Sequence, residues 1–92
     1  MIRSFADKDT ENLYSRIRVA KFAEFERVAQ RRLAQLDAAT SLQDLKGPGL
    51  SLEKLRHDRQ GQYAIRINQK SRVCFTWHDG QAQDVEIVVD YH

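Results

Sequence analysis

Three observations predict an α+β fold, an antiparallel sheet with N-terminal helices packed on one face. Apolar residues recur every three or four positions from Lys21 to Ala38. After Gly47, Pro48 and Gly49 the apolar period falls to two. The two-period segments are separated by short turn sequences, which favours antiparallel neighbours. With 92 residues, of which 41% are hydrophobic and 30% charged, the chain reads as a single globular domain over residues 1–92.

The elements follow in order. "MIRSF" is a candidate first edge strand. Asp7 or Asp9 is placed to cap a helix running towards Ile17 that buries Leu13, Tyr14 and Ile17. "SRIRVAK" separates it from a longer helix, Lys21 to Ala38. That helix has Phe22, Phe25, Val28, Ala29, Leu33 and Leu36 on its inner side and Arg27, Arg31 and Gln35 on its outer side. Thr40 or Ser41 caps a short turn with Leu42 and Leu45 inward, and Gly47-Pro48-Gly49 stops it. "LSLEKL" is a candidate strand, "DRQGQ" a turn, and "YAIRI" and "RVCFTW" alternating strands. Asp79-Gly80 centres a second turn, and "DVEIVV" is the last strand.

The register of the central hairpin follows from its faces. A two-residue loop would pair Ile67 with Arg72 and mix apolar with charged groups. An odd loop, Gln69 to Ser71, pairs Ile67 with Val73, Ile65 with Phe75 and Tyr63 with Trp77. Arg66, Asn68, Arg72, Cys74 and Thr76 then share the face away from the helices. That face is partly basic.

Charge is distributed unevenly. The net charge is +2, yet the stretch from Lys46 to Arg72 holds seven basic residues against Glu53 and Asp58, leaving −3 for the remainder. Such asymmetry fits a surface facing a polyanion, and equally a solubilising face or a docking surface for an acidic protein. The guanidinium forks of Arg56, Arg59, Arg66 and Arg72 match phosphate oxygens and keep their charge. The lone Cys74 excludes an internal disulfide, fits a reducing, cytoplasmic setting, and at mid-strand reads as a small hydrophobe. Neither a membrane-length apolar run nor zinc-ligand spacing occurs in the sequence.

The chain closes on Asp90, Tyr91 and His92, with a carboxylate to orient an imidazole that titrates near neutrality. Strand alternation puts Asp90 and His92 on one face and Tyr91 on the other, as long as the strand stays regular. His57, in "LRHDRQG", reads as a turn residue.

Together, "MIRSF", "LDAAT", "LRHDRQGQYAIRIN", "SRVCFTW" and the terminal "DYH" occur in an order and spacing that resemble the HigB branch of the RelE/ParE superfamily of bacterial toxins. The resemblance implies a compact sheet with helices on one face and a ribosome-dependent messenger RNA endoribonuclease. It also implies a helix-turn-helix, HigA-like antitoxin as partner, with no metal and no small-molecule cofactor. By this resemblance His92 transfers protons with help from Asp90, and Arg72 and Arg56 hold the phosphate. Tyr91 stacks on a base or donates a hydrogen bond, and Lys54, Arg59 and Arg66 steer RNA. HigB relatives often carry a histidine and, three residues on, a lysine before the central hairpin. The corresponding residues here are Glu53, a candidate base, and Arg56, a poor proton donor. Two other readings share the fold: a ParE-like inhibitor of DNA gyrase and a non-catalytic binding module.

Overall fold

A computed structural model describes residues 1–91. Its sheet is a meander of four antiparallel strands in the order β1 (Glu53–Lys54), β2 (Tyr63–Arg66), β3 (Arg72–His78) and β4 (Gln81–Val88). Two helices, α1 (Lys8–Tyr14) and α2 (Glu26–Ala38), pack on one face, as the period change predicts. Leu13, Phe22, Leu33 and Leu36 from the helical half meet Ile65, Val73, Phe75, Val85 and Ile87 from the strands in one core. No helix among the described residues is long and apolar enough to cross a membrane.

Helix α1 is shorter than its apolar pattern implies. The Asp7 side chain accepts from the Thr10 amide at 2.7 Å, so of the two candidate caps, Asp7 and Asp9, it is Asp7 that caps the helix. The helix ends at Tyr14 because Arg16 turns left-handed, φ 68°. The Ile17 amide then donates to the Asn12 carbonyl and the Arg16 amide to that of Leu13, a Schellman closure. Only Leu13 of the three expected residues is buried; Tyr14 is 39% and Ile17 54% exposed.

The expected helix from Lys21 to Ala38 is divided. Ala20–Phe25 forms a 3₁₀ helix, and α2 follows. Three residues per turn set Phe22 and Phe25 above one another, ring centroids 5.8 Å apart. Ala29, Leu33 and Leu36 are buried where the 3.6-residue period places them. Ser41 and Asp44 form a reciprocal capping box over the short 3₁₀ helix Leu42–Leu45.

In the sheet, "LSLEKL" contributes only two paired residues, because Ser51 adopts φ 48° and breaks the extended run. The central hairpin keeps the predicted faces but not the predicted partners. Tyr63 pairs with Phe75, Ala64 with Cys74, Ile65 with Val73 and Arg66 with Arg72. The Asn68 side-chain carbonyl accepts from the Lys70 and Ser71 amides at 2.8 Å, so the chain turns one residue earlier than the odd-loop argument assumed. The slip is two residues, and faces survive an even slip.

Strand β4 starts at Gln81, earlier than expected, and a bulge interrupts its pairing with β3 between Cys74 and Thr76. Asp84 lies in that stretch at φ 52°. "MIRSF" is not a continuous strand. It lies along the outer edge of β4 through two parallel bridges, Ile2 to Ala82 and Phe5 to Val85. The N-terminal ammonium donates to the Ala39 carbonyl at 3.0 Å. That edge of the sheet is therefore covered.

Candidate functional site

The face away from the helices holds Arg66, Arg72 and Glu53 of the residues singled out in the sequence. Alternation along β2 and β3 sets Arg66 and Arg72 opposite one another on it, with Ala64 and Cys74 as the next pair. Like charges directly opposite in a sheet repel, so this pair lacks a full internal counter-charge. One carboxylate approaches it: Glu53 Oε1 stands 4.0 Å from Arg72 Nε. Arg72 Nη1 donates to the carbonyls of Asn68 and, at 3.0 Å, Ser71. Those bonds fix the guanidinium against the hairpin turn. Nη2 has no hydrogen-bond acceptor among the described residues.

The tail reaches the same face by breaking its own alternation. Strand β4 ends at Val88, and Asp90 turns left-handed at φ 57°. The Tyr91 amide then donates to the Lys70 carbonyl at 2.6 Å. Its ring lies 5.2 Å from the Arg72 guanidinium carbon, in cation–π range. It also packs on a small apolar cluster of Leu55, Ala64 and Cys74, together with Val88. Regular alternation had put Tyr91 on the other face from Val88. The Asp90 turn reverses that parity. Burial chiefly, and then the nearby Glu53 charge, push the Tyr91 phenol above its ordinary value, so it keeps its proton near neutrality. His92, the group on which the sequence reading placed proton transfer, lies outside the described residues.

Between the tail and the loop after β1 lies an open cleft of about 290 Å³, lined in part by Arg56, His57, Asp58, Arg59, Asp90 and Tyr91. Asp90 also borders a second hollow formed with Asn68, Lys70 and Phe25. Arg56 is thus brought to the tail. Arg59 is there too, but its Nη1 pairs with Glu86 at 3.1 Å and with Gln62, so its charge is already matched. Lys54 pairs with Tyr63, which places it on the helix side of β1 rather than beside Arg72. His57 is the residue sequence reasoning passed over. Its loop is remote from the tail in sequence, and its neighbours in "LRHDR" gave only a turn signal.

Cys74 is fully buried, and that burial pushes its thiol from the ordinary 9.0 up to about 11. It is a packing residue, as expected. The folded state holds this proton more tightly than the unfolded state does. The associated stability is therefore fully present below pH 9 and falls as pH rises through about 11. Urea unfolding of the parent and Cys74→Ala across that window is expected to show the parent losing about 2–3 kcal/mol relative to the variant.

Comparison with known proteins places these features in context. Residues 3–92 match the HigB-like toxin family, described as the RelE-like toxin of the type II toxin-antitoxin system HigB. Toxin HigB-1 of Vibrio cholerae serotype O1 is 34% identical over 85 residues, covering 89% of this chain and 90% of that protein. The fold is similar to that of the YoeB-YefM complex from Staphylococcus aureus, with TM-score 0.60, 18% identity, and coverage of 100% of this chain and 98% of the other. A heterotetrameric complex of the same pair gives TM-score 0.62 at 17% identity, covering 100% and 98%. The YoeB dimer from Staphylococcus aureus gives 0.58 at 21% identity, covering 99% and 97%.

Proposed function

The chain belongs to the HigB-like toxins, RelE-like toxins of type II toxin-antitoxin systems, and from that premise we propose that it is a ribosome-dependent messenger RNA endoribonuclease. The observation that carries this reading is the facing pair Arg66 and Arg72, with Tyr91 stacked on the second of them. Two guanidinium groups in register want a polyanion between them. An aromatic ring beside them is suited to a base that has been pulled out of its stack.

The reaction is attack of the RNA 2′-hydroxyl on the adjacent phosphorus. It gives a 2′,3′-cyclic phosphate and a 5′-hydroxyl end without a metal, and DNA lacks the nucleophile. Arg72 and Arg56 hold the phosphorane charge, and His92 moves a proton with Asp90 beside it in the chain. Glu53 is a candidate base, restrained by its proximity to Arg72. Arg66, Arg59 and Lys54 contribute long-range attraction to RNA, with Arg59 the weakest because Glu86 already matches it. The partner that silences the toxin is a helix-turn-helix antitoxin of the HigA type, and the site of action is the cytoplasm. Two of the similar structures are complexes of YoeB with YefM, which supports an antitoxin partner here.

The test is product chemistry. Purified full-length protein added to a translating extract is expected to generate messenger fragments with 5′-hydroxyl ends, ligatable only after kinase treatment, and 2′,3′-cyclic phosphates. The same messenger without ribosomes is expected to stay intact. Translation arrest with uncut messenger would remove the nuclease reading. Arrest of growth with altered DNA supercoiling would favour gyrase inhibition instead.

A further inference from the structure

His57 lies in the same cleft as Arg56 and Asp90, across the loop from the tail. It opens the 3₁₀ turn His57–Arg59 with a left-handed backbone, φ 59°, and its carbonyl accepts from the Gln60 amide at 3.1 Å. A left-handed conformation is costly for a residue with a β-carbon and is tolerated where the surrounding chain enforces it. The side chain is exposed and has no hydrogen-bond partner among the described residues. Here a strained, exposed imidazole lines a cleft whose charged groups are the guanidiniums of Arg56 and Arg59 and the carboxylates of Asp58 and Asp90.

The chemistry of strand cleavage asks for two proton transfers, one from the 2′-oxygen and one to the leaving 5′-oxygen. The cleft offers few groups for the second. The guanidiniums of Arg56 and Arg59 do not release protons, and Arg59 is paired with Glu86. Carboxylates serve as bases near neutrality, and the Tyr91 phenol is held above its ordinary value by burial. The other described imidazole, His78, ends β3, six residues beyond Arg72 and about 20 Å along the strand from it.

We propose that His57 is a second proton-transfer residue of this cleft, working opposite the tail. The inference rests on the nuclease reading above and goes beyond it by assigning the partner acid or base. In the step itself the 2′-oxygen bonds to phosphorus as its proton passes to one group. The bond from phosphorus to the 5′-oxygen breaks as that oxygen takes a proton from the other. The titratable and charged groups that share a hollow with His57 are Arg56, Asp58 and Arg59 from its own loop, Lys54 from β1, and Asp90 and Tyr91 from the tail.

His57→Asn and His57→Gly both suit a left-handed backbone, so neither strains the loop. In the ribosome-dependent assay each is expected to cleave about 10²-fold more slowly than the parent. Melting temperature is expected to be unchanged for Asn and unchanged or higher for Gly, and one limb of the parent's pH–rate profile is expected to vanish. Added imidazole is expected to restore part of the His57→Gly rate. Cleavage by His57→Asn within about twofold of the parent, with the same pH profile, overturns the inference and leaves the nuclease reading standing. So does a loss that merely follows a fall in melting temperature with the pH profile intact. A parent that cuts no messenger removes the nuclease reading, and this inference with it.

Discussion

Arg72→Ala is expected to lower messenger cleavage by about 10²–10³-fold while leaving a folded protein. Arg72 is the arginine that the structure joins to a second arginine, to the tail and to a carboxylate. It faces Arg66 across the hairpin, lies over the Tyr91 ring, and stands 4.0 Å from Glu53. Two carbonyls of the turn, Asn68 and Ser71, hold one nitrogen, leaving the outer part of the fork for phosphate. A group fixed in advance stabilises developing charge without reorganising, which is why its removal weighs on the transition state. The stability cost is small by comparison. Asn68 is exposed, the carbonyl of buried Ser71 still accepts from the Ile67 amide at 3.0 Å, and Glu53 is 48% exposed, so no charge is left buried and unpaired. Arg72→Lys is expected to recover only part of the rate, because an ammonium cannot reproduce the fork. Initial rates of 5′-hydroxyl end formation, set beside thermal melts, check both variants. Full activity in Arg72→Ala would move the phosphate site elsewhere.

Arg66→Ala should behave differently. Arg66 is placed to add field strength, so its loss is expected to weaken RNA binding broadly and to reduce the salt dependence by about one phosphate contact. Comparing the slopes of log affinity against log salt separates the two arginines. A steep fall in the catalytic rate at saturating substrate would instead make Arg66 an equal partner.

Much of the fold was legible because it rests on periodicity, and much of the site was not because it rests on turns. Phe22, Leu33 and Leu36 are buried where helical spacing puts them, and Ile65, Val73 and Phe75 where alternation does. The faces of β2 and β3 were correct even though the partners were displaced by two, since only the parity enters the core argument. What moved the partners was one side chain, Asn68, bonding to amides two and three residues on. Left-handed residues produced the other departures. Arg16 stops α1, Ser51 shortens β1, and Asp90 brings Tyr91 to the Arg72 face. Asp and His enter that conformation more readily than Arg or Ser, but the tertiary contacts that select which of them do so are not local. His57 was missed for the same reason: its turn was visible, but the cleft it lines requires the tail.

Removing His92 by ending the chain at Tyr91 is expected to reduce cleavage by about 10²–10⁴-fold with little change in melting temperature. The anchors of the tail that the structure describes all precede the cut. The Tyr91 amide bonds to the Lys70 carbonyl, its ring rests on Arg72, and Val88 and Tyr91 pack on Leu55, Ala64 and Cys74. A truncation that spares them tests the imidazole rather than the fold. The new carboxylate would fall on Tyr91 itself, close to Arg72, so a His92→Ala variant is the necessary companion; it leaves the chain length unchanged and adds no charge to Tyr91. Both variants should still bind their antitoxin and messenger, and both should lose rate at saturating substrate. Combining His92→Ala with His57→Asn then shows whether the two imidazoles serve one step. Groups that work as a unit give a double variant little worse than the poorer single one, whereas independent contributions multiply. A full-rate His92→Ala protein would leave the tail a structural cover for Arg72 and shift the search for the proton carrier to Glu53 and His57.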